Sequence, residues 1–327
     1  MIEVSGLSKK YGNYLAVDNV NFSIERGEVV GFLGPNGAGK STIMNIITGY
    51  LSITEGKVKI DNIDITKYPE KAKKRIGYLP ELPPLYTEMK VREYLNFIYD
   101  LNNVKFPKKP HIDEIMKIVG ISEVQNRLIK NLSKGYRQRV GFGQALVGNP
   151  NVLILDEPTV GLDPKQIIEM RNLISRLGKN HTIILSSHIL SEIQAVCERV
   201  IIINKGKIVA DGNISDLSKA VSDDYRITLV AKCEEEKLYE ELCKIKGCES
   251  VYKYGKKEAD VYEFSICPEK GADIREDIFN AAVASEAKVL SLSSDEMTLE
   301  QIFLRLTQNS DDEAALSLLG NKSKEKE

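Results

Sequence analysis

The nine residues from Gly34 to Thr42, GPNGAGKST, restrict the fold of this chain more than any other stretch. They follow a short apolar run, EVVGFL (28–33), that predicts a buried strand, and they precede IMNIITG (43–49), whose apolar residues have helical spacing. A glycine-rich loop between a strand and a helix lets backbone N–H groups converge on phosphate oxygens at the helix N-terminus. We therefore expect an α/β domain with a phosphate-binding loop.

The order of residues within this loop predicts how it binds phosphate. Its glycines lack a Cβ, so the backbone can approach a ligand closely. Lys40 is placed to reach the β- and γ-phosphates of a nucleotide, and the Ser41 hydroxyl is placed to bind Mg²⁺. The alternative, a glycine-rich turn without a ligand, does not explain why Lys and Ser follow in this order. The predicted nucleotide-binding residues here are Gly34, Pro35, Asn36, Gly37, Ala38, Gly39, Lys40, Ser41 and Thr42.

Length and composition indicate a soluble protein with more than one domain. The chain has 327 residues, of which 42% are hydrophobic and 28% charged, and its net charge of −2 argues against a broad nucleic-acid-binding surface. Its apolar runs have strand length and its N-terminus lacks the apolar core of a signal peptide, so we expect a cytoplasmic protein. The five cysteines include no CxxC pair and are expected to be reduced thiols.

A second predicted strand ends in two adjacent carboxylates. VLIL (152–155) is followed by Asp156 and Glu157. Because side chains alternate along a strand, the two carboxylates are expected to point in different directions. One could then hold Mg²⁺ through water while the other faces an attacking water. The alternative, a solvated acidic strand end, is disfavoured by the phosphate-binding loop in the same chain.

Three further positions have both a structural and a functional interpretation. His188 follows the predicted strand in HTIILSS (181–187), at the strand end where open α/β sheets bind ligands, although a lone His is more often structural. Ser133 and Gly135 precede a predicted helix, where Ser is usually only an N-cap. Tyr11 is either a hairpin aromatic or a flat surface for a nucleobase.

The pattern of apolar residues divides the chain into regions. The first thirty residues alternate apolar and polar positions and predict antiparallel strands, whereas about 85–148 have helical periodicity and predict a helical insertion. The composition changes near Asn213 to Ser222, where NISDLSKAVS (213–222) predicts a linker helix. The order of predicted elements in 220–310 is βαββαβ, a small ferredoxin-like α+β domain, with a last helix in TLEQIFLRLTQ (298–308). The tail, 311–327, is predicted to be disordered.

Together these motifs resemble the ATPase subunit of an ATP-binding cassette (ABC) transporter, over residues 1–215. GPNGAGKST resembles the Walker A loop of that family and VLILDEP resembles its Walker B motif. LSKGY (132–136) resembles the signature motif, GLDP (161–164) the D-loop, and SSH (186–188) the switch histidine. Their order and spacing are those of the family. The resemblance implies a P-loop NTPase core with an antiparallel β subdomain and a helical insertion.

The resemblance also implies roles in ATP hydrolysis. Glu157 would be the general base, and His188 would contact the γ-phosphate and the attacking water. Ser41 and Asp156 would hold Mg²⁺. Glu81 stands where the family has the glutamine of its Q-loop, and its carboxylate could still approach the metal.

The resemblance also implies which residues bind the adenine of the nucleotide and which residues pair two subunits. Tyr11 falls where the family stacks adenine on an aromatic ring. Ser133 and Gly135 would bind the γ-phosphate of ATP held by the opposite subunit, so that two nucleotides lie within a head-to-tail homodimer. Lys134 and Tyr136 replace a Gly and the Gln of the usual LSGGQ signature, but the two residues that contact phosphate remain.

The function implied is ATP hydrolysis that drives export through a separate membrane-embedded permease, with this chain peripheral on the cytoplasmic face of the membrane. The branch of the family with an accessory domain after the ATPase is indicated by IGYLPE (76–81) and by TLEQIFLRLT. The alternative is a non-transport ABC ATPase that acts on nucleic acid or ribosomes. Such proteins commonly have two cassettes or a coiled-coil insertion, whereas this sequence has one cassette and no sustained heptads. For 220–310, packing or dimerisation is favoured over ligand binding, because no ligand-binding constellation is present.

Overall fold

A computed structural model describes residues 2–187, 189–221, 226–258, 260–269 and 272–295, together with Glu300 and Phe303. The chain divides into two compact units, and it passes from the first to the second between Asn213 and Ile214. Within the described residues, no helix combines the length and the apolar character needed to span a membrane.

The first unit contains an antiparallel sheet that packs on the phosphate-binding half of the core. The apolar residues of the alternating pattern, such as Ile2 and Val4, point inward and are almost fully buried. They contact the same hydrophobic cluster as Ile43 and Met44 of the helix after the loop. In the order in which they pair, the strands are β2 (Tyr14–Ile24), β1 (Ile2–Tyr11), β4 (Glu55–Ile60) and β5 (Ile63–Asp64).

A six-stranded sheet forms the centre of the first unit. In the order in which they pair, its strands are β10 (Lys207–Asn213), β9 (Arg199–Asn204), β3 (Val29–Leu33), β8 (Thr182–Ser186), β7 (Val152–Asp156) and β6 (Ile76–Leu79). All neighbours are parallel except β10 and β9. Every residue of β7 and β8 is buried, as their uninterrupted apolar sequences predict. Since β3, β8 and β7 are parallel neighbours, the segments that follow them lie at one edge of the sheet.

The helices of the first unit connect these strands. The predicted helical insertion lies between β6 and β7, two strands that pair directly with each other. It contains α3, α4 and α5, two short 3-10 helices, and an isolated antiparallel bridge between Lys90 and Leu128. The helices are α1 (Lys40–Ile47), α2 (Pro69–Lys73), α3 (Val91–Leu101), α4 (Lys108–Val119), α5 (Lys134–Leu146), α6 (Pro164–Gly178) and α7 (Leu190–Gln194).

The second unit begins with a helix and continues as an antiparallel sheet with two helices. Its strands pair in the order β12-β13-β11-β14, and the elements from β11 onward follow as β-α-β-β-α-β. Ile227, Phe264 and Ile278 are fully buried in a hydrophobic cluster of its own. The predicted last helix, apart from Glu300 and Phe303, and the tail 311–327 lie outside the described residues. The elements are α8 (Ile214–Val221), β11 (Arg226–Lys232), α9 (Glu235–Leu242), β12 (Cys248–Glu258), β13 (Val261–Pro268), α10 (Arg275–Ala284) and β14 (Lys288–Asp295).

Candidate nucleotide-binding site

The predicted phosphate-binding loop connects the buried strand β3 to α1, in the setting that the sequence predicts. Gly37 and Gly39 have φ angles of 81° and 107°, in the left-handed region that favours glycine. At Gly39 space is also restricted, because a Cβ there would lie 2.8 Å from the carbonyl oxygen of Ala16. Gly34 and Ala38 are buried, whereas Pro35, Asn36 and Gly37 are exposed at the tip of the loop.

The loop is held by hydrogen bonds to two other parts of the unit. The N–H of Gly206, in the turn between β9 and β10, donates to the carbonyl oxygen of Ala38 at 3.0 Å. The carbonyl oxygen of Gly206 in turn accepts from the N–H of Asp18 on β2 at 2.9 Å. The antiparallel sheet and the central sheet therefore both support the loop backbone, which favours a preorganised anion-binding conformation.

Lys40 is a buried cation at the first position of α1. Its side chain lies inside the loop, and Nζ donates to the carbonyl oxygens of Gly34 at 2.6 Å and Pro35 at 3.3 Å. Burial lowers the pKa of Lys40, while the negative charges of Glu157 and Asp156 oppose that shift. The ammonium group therefore lies within the electrostatic field of both carboxylates. Ser41 and Thr42 follow it in the first turn of the helix.

The two carboxylates lie at the end of β7, the strand next to β8. Oδ1 of Asp156 accepts a hydrogen bond of 2.6 Å from Oγ of Ser186. The same Oγ accepts from the N–H of Glu157 at 2.9 Å. Asp156 and Glu157 are 5% and 9% exposed, so they form a sheltered acidic site and not a solvated strand end.

The backbone conformation of Glu157 differs from the one expected for a strand residue. Strand β7 ends at Asp156, and Glu157 has a φ angle of 48°, in the left-handed region. A non-glycine residue there is uncommon and is held by its surroundings. The alternation of side chains along a strand therefore does not apply to Glu157, whose direction is set by the turn that follows the strand.

A second polar cluster adjoins these carboxylates and was not predicted from the sequence. Oε2 of Glu192, on α7, accepts hydrogen bonds from the hydroxyl groups of Thr159 and Ser187. Ser186, which joins Asp156 to Glu157, was also missed as an individual site residue. These residues could have been found by assuming that β7 pairs with β8, because the polar residues that follow neighbouring parallel strands lie side by side.

The signature segment begins α5, in the helical insertion. Oγ of Ser133 accepts from the N–H of Tyr136 at 3.3 Å, so Ser133 is the N-cap of this helix. Gly135 is buried, and a Cβ there would lie 2.5 Å from the side-chain oxygen of Gln166. The Tyr136 hydroxyl donates to Glu123, and Lys134 lies against Gly161 of the D-loop.

The remaining predicted positions are Tyr11, Glu81 and His188. Tyr11 lies at the end of β1, is 45% exposed, and has the Lys9 ammonium 5.3 Å from its ring centroid. Glu81 follows β6, is exposed, and makes no hydrogen bond or ion pair with the described residues. His188 lies outside the described residues.

The donor set fits a magnesium ion held jointly by protein and nucleotide. No group of three or more His, Cys, Asp or Glu side chains in the described parts of the chain could hold a metal by itself. Mg²⁺ is typically bound by one or two carboxylates together with substrate phosphates and water. Asp156 has only its Oδ1 engaged in a hydrogen bond with the described residues, and Ser41 is exposed at the start of α1.

Comparison with known proteins shows the family of this chain. The family model for the ABC transporter matches residues 17–160. The linearmycin resistance ATP-binding protein LnrL of Bacillus subtilis (strain 168) is 31% identical over 315 residues, which cover 94% of this chain and 98% of that protein. The chain belongs to the ATP-binding subunits of ABC transporters. This ABC ATPase subunit is also 39% identical, over 221 residues, to the bacitracin transport ATP-binding protein BcrA of Bacillus licheniformis, covering 67% of this chain and 72% of that protein.

Solved structures confirm the predicted fold of the ABC ATPase core. The dimeric structure of the bacterial ABC transporter cassette MJ0796 aligns with a TM-score of 0.60 and 27% identity, over 65% of this chain and 98% of that one. A dimeric post-hydrolysis state of the same cassette, bound to ADP and Pi, aligns equally well. The predicted function is confirmed too: the ABC ATPase subunit binds nucleotide and hydrolyses ATP to drive export through a membrane permease. The non-transport alternative receives no support.

Proposed function

We propose that this ABC ATPase subunit hydrolyses ATP at the edge of the central sheet where Lys40, Asp156 and Glu157 meet. The observation that supports this most directly is the buried ammonium of Lys40, which lies inside the phosphate-binding loop and within the field of both carboxylates. A positive group is thus fixed where phosphate charge would bind, and acidic groups are fixed next to it. Preorganised charge of this kind stabilises phosphoryl transfer without reorganisation during the reaction.

Each residue of the site has a proposed task. The loop from Gly34 to Thr42 binds the phosphates through its N–H groups, and Lys40 reaches the β- and γ-phosphates. Ser41 and Asp156 hold Mg²⁺, which neutralises phosphate charge when bound, and Glu81 approaches it from the end of β6. Glu157 orients the attacking water and accepts its proton.

Two further proposals concern the nucleotide base and the second subunit. Tyr11 stacks on adenine. Its place in the β1–β2 hairpin supports this, because the carbonyl oxygen of Ala16 on β2 lies against Gly39 of the loop. Ser133 and Gly135 bind the γ-phosphate of ATP in the opposite subunit of a homodimer, and His188 contacts the γ-phosphate from its own subunit. The dimeric form of the MJ0796 cassette supports this arrangement.

The proposed location is the cytoplasmic face of the membrane, where the subunit binds its permease. The division of the chain at Asn213 supports an ATPase domain of 1–215 and an accessory domain of 220–310, which we propose packs or dimerises. Helices α3, α4 and α5 support the helical subdomain of about 85–148. No nucleic acid is expected to bind.

The nucleotide site is tested by removing the buried ammonium. Lys40→Ala, and Lys40→Met, which keeps an apolar stem of similar length, should bind a fluorescent ATP analogue more weakly, by about tenfold or more, because charge-assisted phosphate contacts are lost. The exposed Lys179→Ala serves as the control for loss of a positive charge. Wild-type affinity in a folded Lys40 variant would refute the assignment of this loop.

A further inference from the structure

A buried carboxylate that the proposed mechanism does not use lies next to the hydrolysis site. Glu192 is the third residue of α7 and is 3% exposed. Its Oε2 accepts from Oγ1 of Thr159 at 2.5 Å and from Oγ of Ser187 at 3.0 Å. Both donors are buried as well, at 5% and 1% exposed. The three side chains thus form one buried, hydrogen-bonded polar cluster.

The two donors belong to different segments of the site. Thr159 is two residues beyond Glu157, in the turn that follows β7. Ser187 directly follows β8 and directly precedes His188 in the sequence. Each hydroxyl has one proton to donate, and both protons go to the same oxygen of Glu192. One carboxylate oxygen therefore connects the segment after the proposed base to the segment before the proposed switch histidine.

Stability alone does not explain a glutamate at this position. Oε1 of Glu192 is buried and has no hydrogen-bond partner in the described part of the chain, and no ion pair compensates the carboxylate there. A buried charge without a cation is destabilising, and a buried acceptor without a donor adds to that cost. An apolar side chain of similar size would avoid both costs. The interaction with the two hydroxyl groups is what such a side chain could not supply.

We propose that Glu192 is a positioning residue for ATP hydrolysis. By accepting from Thr159 and Ser187 together, it fixes the turn after Glu157 relative to the end of β8, and so holds Glu157 in the position from which it acts on the attacking water. The inference rests on the proposed role of Glu157 as the base. Glu192 acts through its two hydroxyl partners and does not touch the nucleotide.

The test compares variants of the full chain in single-turnover ATP hydrolysis and in binding of a fluorescent ATP analogue. Glu192→Leu removes the acceptor, whereas Glu192→Gln keeps an amide oxygen that can accept from both hydroxyls. We expect Glu192→Leu to lower the rate constant about tenfold to a hundredfold, since small displacements of catalytic groups have effects of this size. Nucleotide affinity should be unchanged, and Glu192→Gln should restore most of the rate. Glu198→Gln, at an exposed carboxylate nearby, is the control.

A second set of variants shows whether Glu192 acts through these hydroxyls. Thr159→Val and Ser187→Ala should each slow wild-type hydrolysis and should cause no further loss when combined with Glu192→Leu, because the shared interaction is already absent. If Thr159→Val slowed hydrolysis by the same factor in wild type and in Glu192→Leu, the proposal would be overturned. So would wild-type hydrolysis by Glu192→Leu, whether or not its thermal stability falls.

Two controls keep the outcomes distinct. If Glu192→Leu does not fold, the double variant Thr159→Val/Ser187→Ala decides, and an unchanged rate constant overturns the proposal. Glu157→Gln is measured alongside. If Glu157→Gln hydrolysed ATP at the normal rate, the proposed role of Glu157 as the base would be refuted. If Glu157→Gln lost hydrolysis but the Glu192 variants hydrolysed ATP normally, only the positioning role of Glu192 would be refuted.

Discussion

At the scale of single residues, Lys40 shows how a phosphate-binding loop keeps a cation in place. Burial disfavours the charged form of this ammonium group and lowers its pKa, but two carbonyl oxygens of the loop accept from it and two carboxylates attract it. The cation is thus held by the same loop whose N–H groups are proposed to bind phosphate. These contacts hold the ammonium group in one position, whereas an exposed lysine side chain would be free to move.

His111 provides a prediction about pH at this scale. Its Nε2 accepts from the N–H of Gly148 at 3.0 Å, which requires that nitrogen to be unprotonated. Burial lowers the pKa of His111, and Glu114 opposes that shift. Because the folded-state pKa lies below the ordinary value of about 6.5, the contribution of His111 to stability is complete above pH 6.5. It is lost as the pH falls from there toward the folded-state pKa, since the unfolded chain takes up the proton first.

The measurement for His111 is thermal unfolding of wild type and His111→Gln between pH 8 and 5. Gln keeps an acceptor at this site and does not titrate. The melting temperature of wild type should fall more than that of the variant over the acidic part of this range. Parallel curves for the two proteins would contradict the expected role of the neutral imidazole.

At the scale of elements, α5 is attached to α6 along one side. Arg139 of α5 forms an ion pair with Glu169 of α6, and its Nη1 donates to the carbonyl oxygen of Val119 at 3.0 Å. Gly135 at the start of α5 leaves room for the side chain of Gln166. The signature segment is therefore oriented by contacts with the helix that follows the D-loop, as well as by the helical insertion that contains it.

The proposed contact between Ser133 and the phosphate of the opposite subunit gives a prediction for this element. Ser133→Arg should still bind ATP but should not form an ATP-dependent dimer, because a bulky side chain replaces the hydroxyl. Arg cannot cap α5, which costs about 1 kcal/mol. Ser133→Asp separates the two effects, since Asp is a good N-cap but places a negative charge against phosphate. Dimer formation is followed by light scattering, with Ser122→Asp as the control for the added charge.

If both Ser133 variants dimerised with ATP as wild type does, Ser133 would be only the N-cap of α5. The structure shows that cap directly, and the phosphate contact is the part under test.

Whether a feature could be predicted depends on how far apart in the sequence the interacting residues lie. Apolar runs, such as the one before Gly34, and helical spacing depend on neighbouring residues, so the central strands and the helical insertion were predictable. The phosphate-binding loop and the carboxylates at the end of β7 were predictable because phosphate binding and ATP hydrolysis require particular residue types at particular positions in the sequence. The roles of Ser186 and Glu192 depend on the pairing of β7 with β8, which joins residues about thirty positions apart, and the left-handed conformation of Glu157 leaves no local signal.

At the scale of the whole molecule, each of the two units has a hydrophobic core of its own among the residues that the structure describes. One contains the central and antiparallel sheets of the first unit, and the other contains the sheet and helices of the second. The chain passes between the two units at Asn213 and Ile214. A domain with its own core can fold without the rest of the chain.

Truncation tests this division. A fragment that ends after the predicted linker, at Ser222, should be folded and should bind a fluorescent ATP analogue, because all the proposed nucleotide-binding residues precede it. Circular dichroism and nucleotide titration are the measurements, with end points at Asn213 and Leu217 for comparison. If the fragments with all three end points were insoluble or did not bind nucleotide, the first unit would need the second unit in order to fold.

The central claim is that the subunit uses Glu157 to hydrolyse ATP and thereby to separate two ATP-bound subunits. Glu157→Gln keeps the size of the side chain but removes the base, while Lys40, Ser41 and Asp156 are unchanged. Loss of a positioned base typically slows a reaction by about 10²- to 10⁴-fold. The variant should therefore bind ATP normally and accumulate as a closed dimer.

The most direct measurement combines single-turnover ATP hydrolysis with size-exclusion chromatography in the presence of ATP and Mg²⁺. The account predicts that Glu157→Gln elutes as a dimer with two ATP molecules and almost no hydrolysis, and that wild type is mostly monomeric after turnover. Hydrolysis by the variant at close to the wild-type rate would contradict the account, and the residue that activates water would then have to be sought at Asp156 or His188.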